Sequence, residues 1–239
     1  MVVHEFENGL GSIDTTGMQM GMARRLEVHG TGGTALHAPL GSSSLNLFLE
    51  KPVAPSMEKA AEINEAIKKA GVLSSVGYQL RYFAAVQQAK QYVSDKMVGM
   101  VVSHRWGGLP GTPWWRVMAQ SGGQLVEQTT HQVDMIRYIA GEIEEVHAYY
   151  ALRTLAEVEN VDIPDVYAVS FKFESGAVGV LSSTCALREG GGASGIEFIL
   201  DDARLHLTGA TAELFPSGAG ILPPAPENED IDEVFIDAI

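Results

Sequence analysis

The spacing of hydrophobic residues predicts helices in the middle of this chain and strands after them. Apolar positions in residues 56–70 recur at the spacing of one helix face, between a start signal at Ser56 and a stop signal at Gly71. The same spacing predicts helices over residues 81–95 and 122–140. Apolar or alternating runs predict strands at residues 45–49, 72–78, 100–106, 144–152, 166–173, 177–185, 195–200 and 204–208.

The distribution of these elements predicts an α+β fold. Short turns separate the later strands, which favours a large and mostly antiparallel open sheet packed on helices. The first 45 residues are rich in Gly and Thr and show an internal echo of that sheet. Residues 6–13 resemble residues 173–180, and residues 26–36 resemble residues 196–206. Either this is a chance likeness between Gly-containing hairpins, or the segment is a partial second copy of the later strands.

Composition limits the function classes that this chain can serve. Its 239 residues with 46% hydrophobic content suffice for one large domain or two small ones. The formal net charge of −14 argues against nucleic acid or an anionic membrane surface as a partner. We find neither an apolar stretch of about 18 residues nor a charged-then-apolar leader, so we expect a soluble cytoplasmic protein. The single cysteine, Cys185, lies in a predicted strand, which favours burial over reactivity.

Candidate chemistry lies on the third predicted helix. In a continuous α-helix Glu127, His131 and Asp134 fall within an arc of roughly 60°, away from the apolar face. The first apolar run ends in Glu50-Lys51-Pro52, which places Lys51 at a strand end. A lysine at a strand end and an imidazole with a carboxylate one turn away are the parts of a proton-transfer site. The acid–imidazole face is also compatible with the metal site of a hydrolase, but one histidine without a second nearby makes a weak ligand set.

A loop between the second and third predicted helices carries Trp114, Trp115 and Arg116. Apolar ring faces beside a forked guanidinium donor suit a sugar or a polyol. Trp115 and Arg116 are therefore candidate substrate-binding residues. The alternative for both tryptophans is a core or dimer contact.

Four motifs in a fixed order resemble the Gfo/Idh/MocA family. They are Glu-Lys-Pro at residues 50–52, Val-Gly-Tyr-Gln-x-Arg-Tyr at 76–82, Trp-Trp-Arg at 114–116 and Gly-Gly-x-Leu-x-Glu-Gln-x-Thr-His-x-x-Asp at 122–134. The family consists of NAD(P)-dependent oxidoreductases related to glucose–fructose oxidoreductase and inositol dehydrogenase. The resemblance covers roughly residues 47–208, and four ordered motifs are far more specific than one.

The resemblance implies a Rossmann domain followed by an α+β domain. In such proteins the large open sheet often serves dimerisation, so a homo-oligomer through the open sheet is implied here. NAD or NADP is the implied cofactor. Glu50, Lys51 and Pro52 are its implied contacts, with Lys51 beside the nicotinamide.

The resemblance also implies roles for the acid–imidazole residues. His131 is the general acid/base that takes or returns the hydroxyl proton as hydride moves. Glu127 stands where the family usually has Asp, and it orients the histidine or holds a substrate hydroxyl. Asp134 either contacts the substrate or pairs structurally. No metal is implied.

The cofactor half departs from the family pattern. A Rossmann fingerprint needs a strand, then G-x-G-x-x-G, then a helix. Gly9 and Gly11 lack a third glycine at that spacing, and the glycines of residues 30–33 are followed by Pro39 and Gly41. We therefore expect a truncated or rearranged member. Its predicted domains are an atypical Gly-rich segment at 1–45 that resembles later strands, a Rossmann remnant at 46–79, an α+β substrate and dimerisation domain at 80–225, and an acidic linker with the start of a truncated helix at 226–239.

Two functions of different classes follow from this sequence. The first is an NAD(P)-dependent oxidoreductase that transfers hydride at a hydroxyl or keto carbon of a sugar or polyol, with Lys51 and His131 in charge stabilisation and proton transfer. The second is a non-catalytic module that keeps the sheet for interaction or dimerisation. The first hypothesis further requires that Lys51 and His131 converge on one cleft.

Overall fold

The chain divides into two compact units in a computed structural model. The first unit comprises Met1–Tyr78 with Asp230–Ile239, and the second comprises Gln79–Glu229. The structure describes residues 46–216 and 220–238, and the backbone of residues 2–6, 9–13, 26–30 and 33–37. Within these ranges, every helix is too short or too polar to cross a lipid bilayer.

The elements are numbered along the chain. The helices are α1 (Met57–Ala70), α2 (Ala84–Val93), α3 (Met118–Ser121), α4 (Gln124–Glu127), α5 (Thr130–Ala140) and α6 (Ile231–Asp237). The strands are β1 (Val2–Phe6), β2 (Gly9–Ile13), β3 (Leu26–Gly30), β4 (Gly33–His37), β5 (Leu47–Leu49), β6 (Ser74–Val76), β7 (Val98–Trp106), β8 (Ile143–Ala151), β9 (Val166–Phe173), β10 (Val178–Thr184), β11 (Ala193–Leu200), β12 (Arg204–Thr208) and β13 (Thr211–Phe215).

The first unit begins with a four-stranded sheet in the order β1-β2-β3-β4, in which every neighbouring pair is antiparallel. The segment predicted to echo later strands falls here. Its side chains, and residues 14–25 and 38–45, lie outside the described residues. Its descent from the later strands therefore stays a prediction.

A strand–helix–strand element follows in the same unit. β5 and β6 pair in parallel, and α1 connects them. The side chain of Ser56 accepts the N–H of Lys59, and Gly71 ends the helix with a φ of 64°. Gly tolerates this left-handed conformation without the penalty that a Cβ brings. The predicted helix with its start and stop signals is confirmed.

The last helix completes the small core of the first unit. Phe235 of α6 packs against Phe48 of β5 with ring centroids 5.4 Å apart, and Ile231 joins them. Asp230 begins α6 by accepting the N–H of Asp232 at 2.8 Å. Acceptors at this position satisfy N–H groups that the helix itself leaves unbonded.

The second unit is built on a seven-stranded sheet in the order β13-β12-β11-β7-β10-β9-β8. β7 and β10 pair in parallel, and every other neighbouring pair is antiparallel. The prediction of an α+β fold with a large, mostly antiparallel sheet is confirmed. The sheet contains one strand, β13, that the hydrophobic pattern did not predict.

One face of this sheet is covered by α2 and α5. Val86, Ala89 and Ile136 from the two helices are at most 1% exposed, and they share a core with Phe173 and Phe198 of the sheet. Burying a Val, Ile or Phe side chain stabilises the fold by about 1.5–3 kcal/mol, so this contact holds the helices in place. The other face presents large hydrophobic side chains to solvent: Trp106, Tyr149, Val178 and Val180.

The prediction of a continuous helix over residues 122–140 is wrong. α4 ends at Glu127 and α5 starts at Thr130. At the break the N–H of Thr129 bonds to the carbonyl of Gln124, and the N–H of His131 bonds to that of Gln128. Glu127 therefore lies on a different helix from His131, and the arc of roughly 60° does not apply.

Candidate active site

The acid–imidazole residues lie beside the parallel strand pair of the second unit. β7 and β10 run in the same direction, so their carboxyl ends meet at one edge of the sheet. On the helix-covered face of this edge, Arg105 and Ser183 are register partners. Ligand sites of sheet proteins commonly lie outside the carboxyl ends of parallel strands. The break between α4 and α5 is bonded to this edge.

Three side-chain hydrogen bonds hold the helix break on the sheet. The hydroxyls of Thr129 and Ser183 bond at 2.7 Å, where both are buried. The amide of Gln124 donates to the Thr184 carbonyl at 3.3 Å. Arg105 donates through Nη2 to Oε1 of Gln128 at 3.2 Å. These non-local bonds explain why the helix is interrupted here despite its continuous pattern.

Glu127 and His131 flank this anchored break. Both are half-buried, and their backbones are tied to its geometry by the bonds from Glu127 N–H to the Gly123 carbonyl and from His131 N–H to the Gln128 carbonyl. Because the break is fixed to two strands, the two side chains start from a rigid backbone. Rigid support is what a proton-transfer group needs to keep its geometry.

The Gly122–Gly123 turn allows α4 to begin close to the sheet. Both glycines have positive φ values, 72° and 84°. A Cβ on Gly123 would lie 2.9 Å from the Tyr167 hydroxyl oxygen, which is buried. Only glycine therefore satisfies both the backbone angle and the space at this position.

Asp134 is bound by an arginine rather than left open. Arg81 donates through Nε and Nη2 to the two carboxylate oxygens at 2.8 and 2.6 Å. This hydrogen bonding raises the pKa of Arg81 above its ordinary value, with burial opposing the effect. The guanidinium also lies 4.8 Å from the ring centroid of Tyr138. The carboxylate thus ties α5 to the turn before α2, and its predicted contact with substrate stays a prediction.

The aromatic loop separates its two tryptophans. Trp115 is 4% exposed and packs in a second core cluster with Leu155 and Ile163, whereas Trp114 is 46% exposed. Arg116 donates through Nε and Nη2 to the Pro110 carbonyl at 3.0 and 2.9 Å. The substrate-binding roles predicted for Trp115 and Arg116 stay predictions.

A buried carboxylate organises the loop around that second cluster. Asp165 is fully buried and accepts the N–H groups of Arg153, Thr154 and Leu155 and the Thr154 hydroxyl, all within 2.8 Å. Burial raises the pKa of Asp165, but these hydrogen bonds together outweigh burial and hold it below its ordinary value. Cys185 is buried nearby, and burial raises the pKa of its thiol to about 11. This thiol is therefore a core side chain.

Lys51 belongs to the first unit. It is the second residue after β5 and is half-buried, with Glu50 exposed before it and Pro52 after it. Its carbonyl-end position on a parallel strand agrees with the sequence motif. Since His131 belongs to the second unit, the prediction that the two side chains converge on one cleft stays a prediction.

The described residues of the first unit do not fit the phosphate end of a dinucleotide. The only parallel strand–helix element described there leads into α1, whose first turn is closed by the Ser56 side chain. Glu58 adds a carboxylate to that turn, where a phosphate would meet like charge. The segment between β5 and α1 also contains no glycine.

The candidate site was also compared with the ligand set that a metal ion needs. In the part of the chain that the structure describes, no three His, Cys, Asp or Glu side chains are grouped so that they could hold a metal ion. The Asp134 carboxylate of the metal-hydrolase alternative is bound by Arg81 instead.

Sequence reasoning missed two residues at this edge, Arg105 and Gln128. Both support the helix break, but neither stands in a catalytic pattern along the chain. Gln128 does lie inside the Gly-Gly to Asp motif, next to Glu127. Arg105 is the penultimate residue of β7, and a charged residue on the helix-covered face of a strand is the signal that could have found it.

Comparison with known proteins agrees with this domain architecture. Residues 86–214 match the GFO/IDH/MocA C-terminal domain, which is more than half of the chain. The α+β domain is therefore of the kind that carries the open sheet in these oxidoreductases. The chain belongs to the Gfo/Idh/MocA family, and the family predicted from the sequence is confirmed.

Named relatives are similar to part of this chain. Levoglucosan dehydrogenase of Pseudarthrobacter phenanthrenivorans is 28% identical over 62% of this chain and 46% of its own length. Myo-inositol 2-dehydrogenase of Thermotoga maritima is 30% identical over 58% of this chain and 42% of its own. The solved structure of GenD2 from gentamicin A biosynthesis, in complex with NAD, has a TM-score of 0.60 and 26% identity, covering 68% of this chain and 47% of GenD2. The chain spans less than half the length of each.

Proposed function

We propose that this chain supplies the substrate-binding and proton-transfer part of an NAD(P)-dependent oxidoreductase that acts on a sugar or polyol. The observation that carries the proposal is the anchored helix break, which fixes the backbones of Glu127 and His131 beside the carboxyl ends of β7 and β10. Family membership supports the reaction class, and the named relatives are dehydrogenases of an anhydrosugar and a cyclitol.

His131 is proposed to move the hydroxyl proton. Oxidation of a carbinol requires loss of a hydride from carbon and of a proton from oxygen, and an imidazole exchanges protons near neutral pH. The nicotinamide of NAD or NADP supplies the hydride acceptor when bound. Lys51 is proposed to stabilise the developing alkoxide charge, and Glu127 to orient the imidazole. Glu50 and Pro52 are proposed to position Lys51 at the cofactor, and Trp115, Arg116 and Asp134 to bind the substrate.

The exposed sheet face is proposed to join two copies of the chain in a homo-oligomer. Tyr149 is 73% exposed, and Trp106, Val178 and Val180, each at least 40% exposed, lie on the same face. A contiguous apolar face of this kind commonly marks a protein interface. We also propose that the protein works in the cytoplasm, where nicotinamide cofactors are available.

The His131 proposal is tested by His131→Asn with His147→Asn as the matched control. His147 is exposed on β8. With a panel of sugars and cyclitols and NAD⁺ or NADP⁺, we expect reduced nicotinamide to appear with the wild type and the control. The rate with His131→Asn should fall by about 10²–10⁴-fold, the usual contribution of general acid–base catalysis. An unchanged rate in His131→Asn would exclude the proposed role.

The second candidate function is a non-catalytic interaction module. The observation that favours it is the lack of fit between the described first unit and a dinucleotide phosphate. Titration with NADH and NADPH, followed by fluorescence, separates the two candidates. Saturable binding supports the oxidoreductase. No binding up to millimolar cofactor, together with a dimer in sedimentation, supports the interaction module.

A further inference from the structure

Arg105 is a half-buried cation whose charge is not matched by a carboxylate among the described residues. Arg81, Arg137 and Arg204 each pair with an acidic side chain. The bonds of Arg105 go to neutral oxygens instead: Nη1 donates to the Trp106 carbonyl at 3.1 Å, and Nη2 donates to Gln128 Oε1 at 3.2 Å. A guanidinium has five N–H donors in a planar fork, so donors remain for a further acceptor.

The place of Arg105 links it to the proposed proton-transfer residue. Gln128 accepts from Arg105 with its side chain and from the His131 N–H with its backbone carbonyl. The guanidinium therefore contacts Gln128, the residue whose carbonyl accepts the His131 N–H. An acceptor group bound by Arg105 would thus lie beside the helix break that precedes His131.

The neighbouring loop leaves room for this guanidinium. A Cβ on Gly107 would lie 2.8 Å from Arg105 Nη1, so the absence of a side chain at position 107 lets the guanidinium lie against the backbone there. Its position is thus set by the strand, by Gln128 and by a glycine. This is an oriented donor, in contrast to a solvated surface arginine.

We infer that Arg105 binds an oxyanion carried by the substrate, so that the site takes an acidic sugar. This inference rests on the proposed function for the identity of the ligand as a sugar. A planar guanidinium binds a carboxylate or phosphate through two parallel hydrogen bonds, which are stronger than bonds between neutral groups. An anionic substrate group supplies the countercharge that the described residues do not.

The net charge of −14 does not oppose this assignment. Charges further apart than the screening length, about 8 Å at physiological ionic strength, interact weakly through solvent. A small anion in the site is therefore governed by the adjacent guanidinium. Binding should weaken with added salt more for an acidic sugar than for a neutral one.

The test measures sugar binding to the full chain by calorimetry without cofactor. The probes are glucuronate, glucose 6-phosphate and glucose, which separate a carboxylate, a phosphate and a neutral sugar. We expect the wild type to bind one of the two anions at least about tenfold more tightly than glucose, the scale of a charged hydrogen bond. Equal binding of all three probes, or no binding of either anion, overturns the inference.

Two variants locate the effect at Arg105. Arg105→Gln removes the charge, and Gly107→Ala displaces the guanidinium while the charge stays. Both should lose the preference for the anion. The matched controls are Arg188→Gln, an exposed arginine bonded to the Thr154 carbonyl, and Gly111→Ala, where a Cβ meets nothing within 4 Å. Both controls should keep the preference, and an anion preference that survives in Arg105→Gln contradicts the inference.

The same measurements separate this inference from the proposed function. If the chain binds an acidic sugar through Arg105 but oxidises no sugar, the redox proposal fails and the anion site stands. If His131-dependent oxidation occurs only with neutral polyols and shows no dependence on Arg105, the anion site fails and the redox proposal stands.

Discussion

Asn228 closes the amino-terminal end of α2 from a distant part of the second unit: its side-chain oxygen accepts the backbone N–H of Ala84 at 2.8 Å. Phe83, at the helix start, offers no side-chain cap of its own. The segment 220–229, here called the strap, is further held by the bond from Gln88 Nε2 to the Pro223 carbonyl at 2.6 Å. Residues 226–229, which the sequence indicated as linker, are thus part of a segment that is bonded to α2.

Asn228→Ala should lower the free energy of unfolding by about 1 kcal/mol, the usual cost of losing a helix cap. Asn228→Asp keeps an acceptor and places negative charge at the helix start, so it should retain the stability. Urea unfolding measures both, and hydrogen exchange at Ala84 reports the local effect. Equal stability of Asn228→Ala and wild type would show that water replaces the cap.

Breaking the partly buried Arg81–Asp134 ion pair should reduce stability more than breaking an ion pair on the surface. Asp134→Ala removes the buried partner of a guanidinium that is 38% exposed, so the free energy of unfolding should fall by about 1–3 kcal/mol. The control is Glu142→Ala, which breaks a pair in which Arg137 Nε and Nη2 both donate to one carboxylate oxygen and the two side chains are about half exposed. The control should cost at most about 0.5 kcal/mol. Similar losses in both variants would contradict the role of burial.

Gly123→Ala should destabilise the second unit more than a Gly→Ala substitution at a position where the new Cβ meets no other atom. The φ of 84° and the 2.9 Å approach to the Tyr167 hydroxyl together predict a loss of about 3 kcal/mol. Gly176→Ala has a φ of 89° but meets nothing within 4 Å, so it isolates the backbone cost of about 1–2 kcal/mol.

The clash itself is tested by a second change. Tyr167→Phe removes the hydroxyl oxygen that the new Cβ at position 123 would meet. Combined with Gly123→Ala, it should restore part of the stability that Gly123→Ala loses. Combined with Gly176→Ala, it should restore none. Thermal unfolding of the single and double variants measures this coupling. Additive effects in Gly123→Ala with Tyr167→Phe would show that only the backbone angle matters.

Asp165 predicts a pH dependence of stability. Its folded pKa is below the ordinary value, so its contribution is fully present above the unfolded pKa of about 3.9 and is lost as pH falls through the folded pKa. Asp165→Asn should therefore cost about 2–3 kcal/mol at neutral pH, and the difference from wild type should shrink below about pH 4. Urea unfolding from neutral pH downward checks this, and a constant difference would rule out the carboxylate as its source.

The elements that could be predicted from sequence are those fixed by local signals. α1 has its cap at Ser56 and its left-handed Gly71, and β9 follows an alternating pattern with a turn at its end. Both are specified by residues within a few positions of each other. The family resemblance likewise depended on short motifs in order.

The features that escaped prediction depend on residues far apart in the chain. The break at Gln128 and Thr129 is held by Arg105 and Ser183, which no local helix pattern contains. The strap needs Asn228 to meet a helix that starts 144 positions earlier. In the candidate site, the pattern identified the acid and the imidazole, but not the strand residues that support them.

The position of β7 in the sheet has a consequence for folding kinetics. β8, β9 and β10 form one antiparallel ribbon and β11, β12 and β13 another, and each connects strands that are consecutive in the chain. β7 is made earlier than both, yet it lies between them. Ribbons of consecutive strands form quickly because their contacts are local in sequence. Inserting β7 between the two ribbons is slower because it requires closure of a long loop. We expect the docking of β7 to limit the refolding rate, with both ribbons protected from exchange before it.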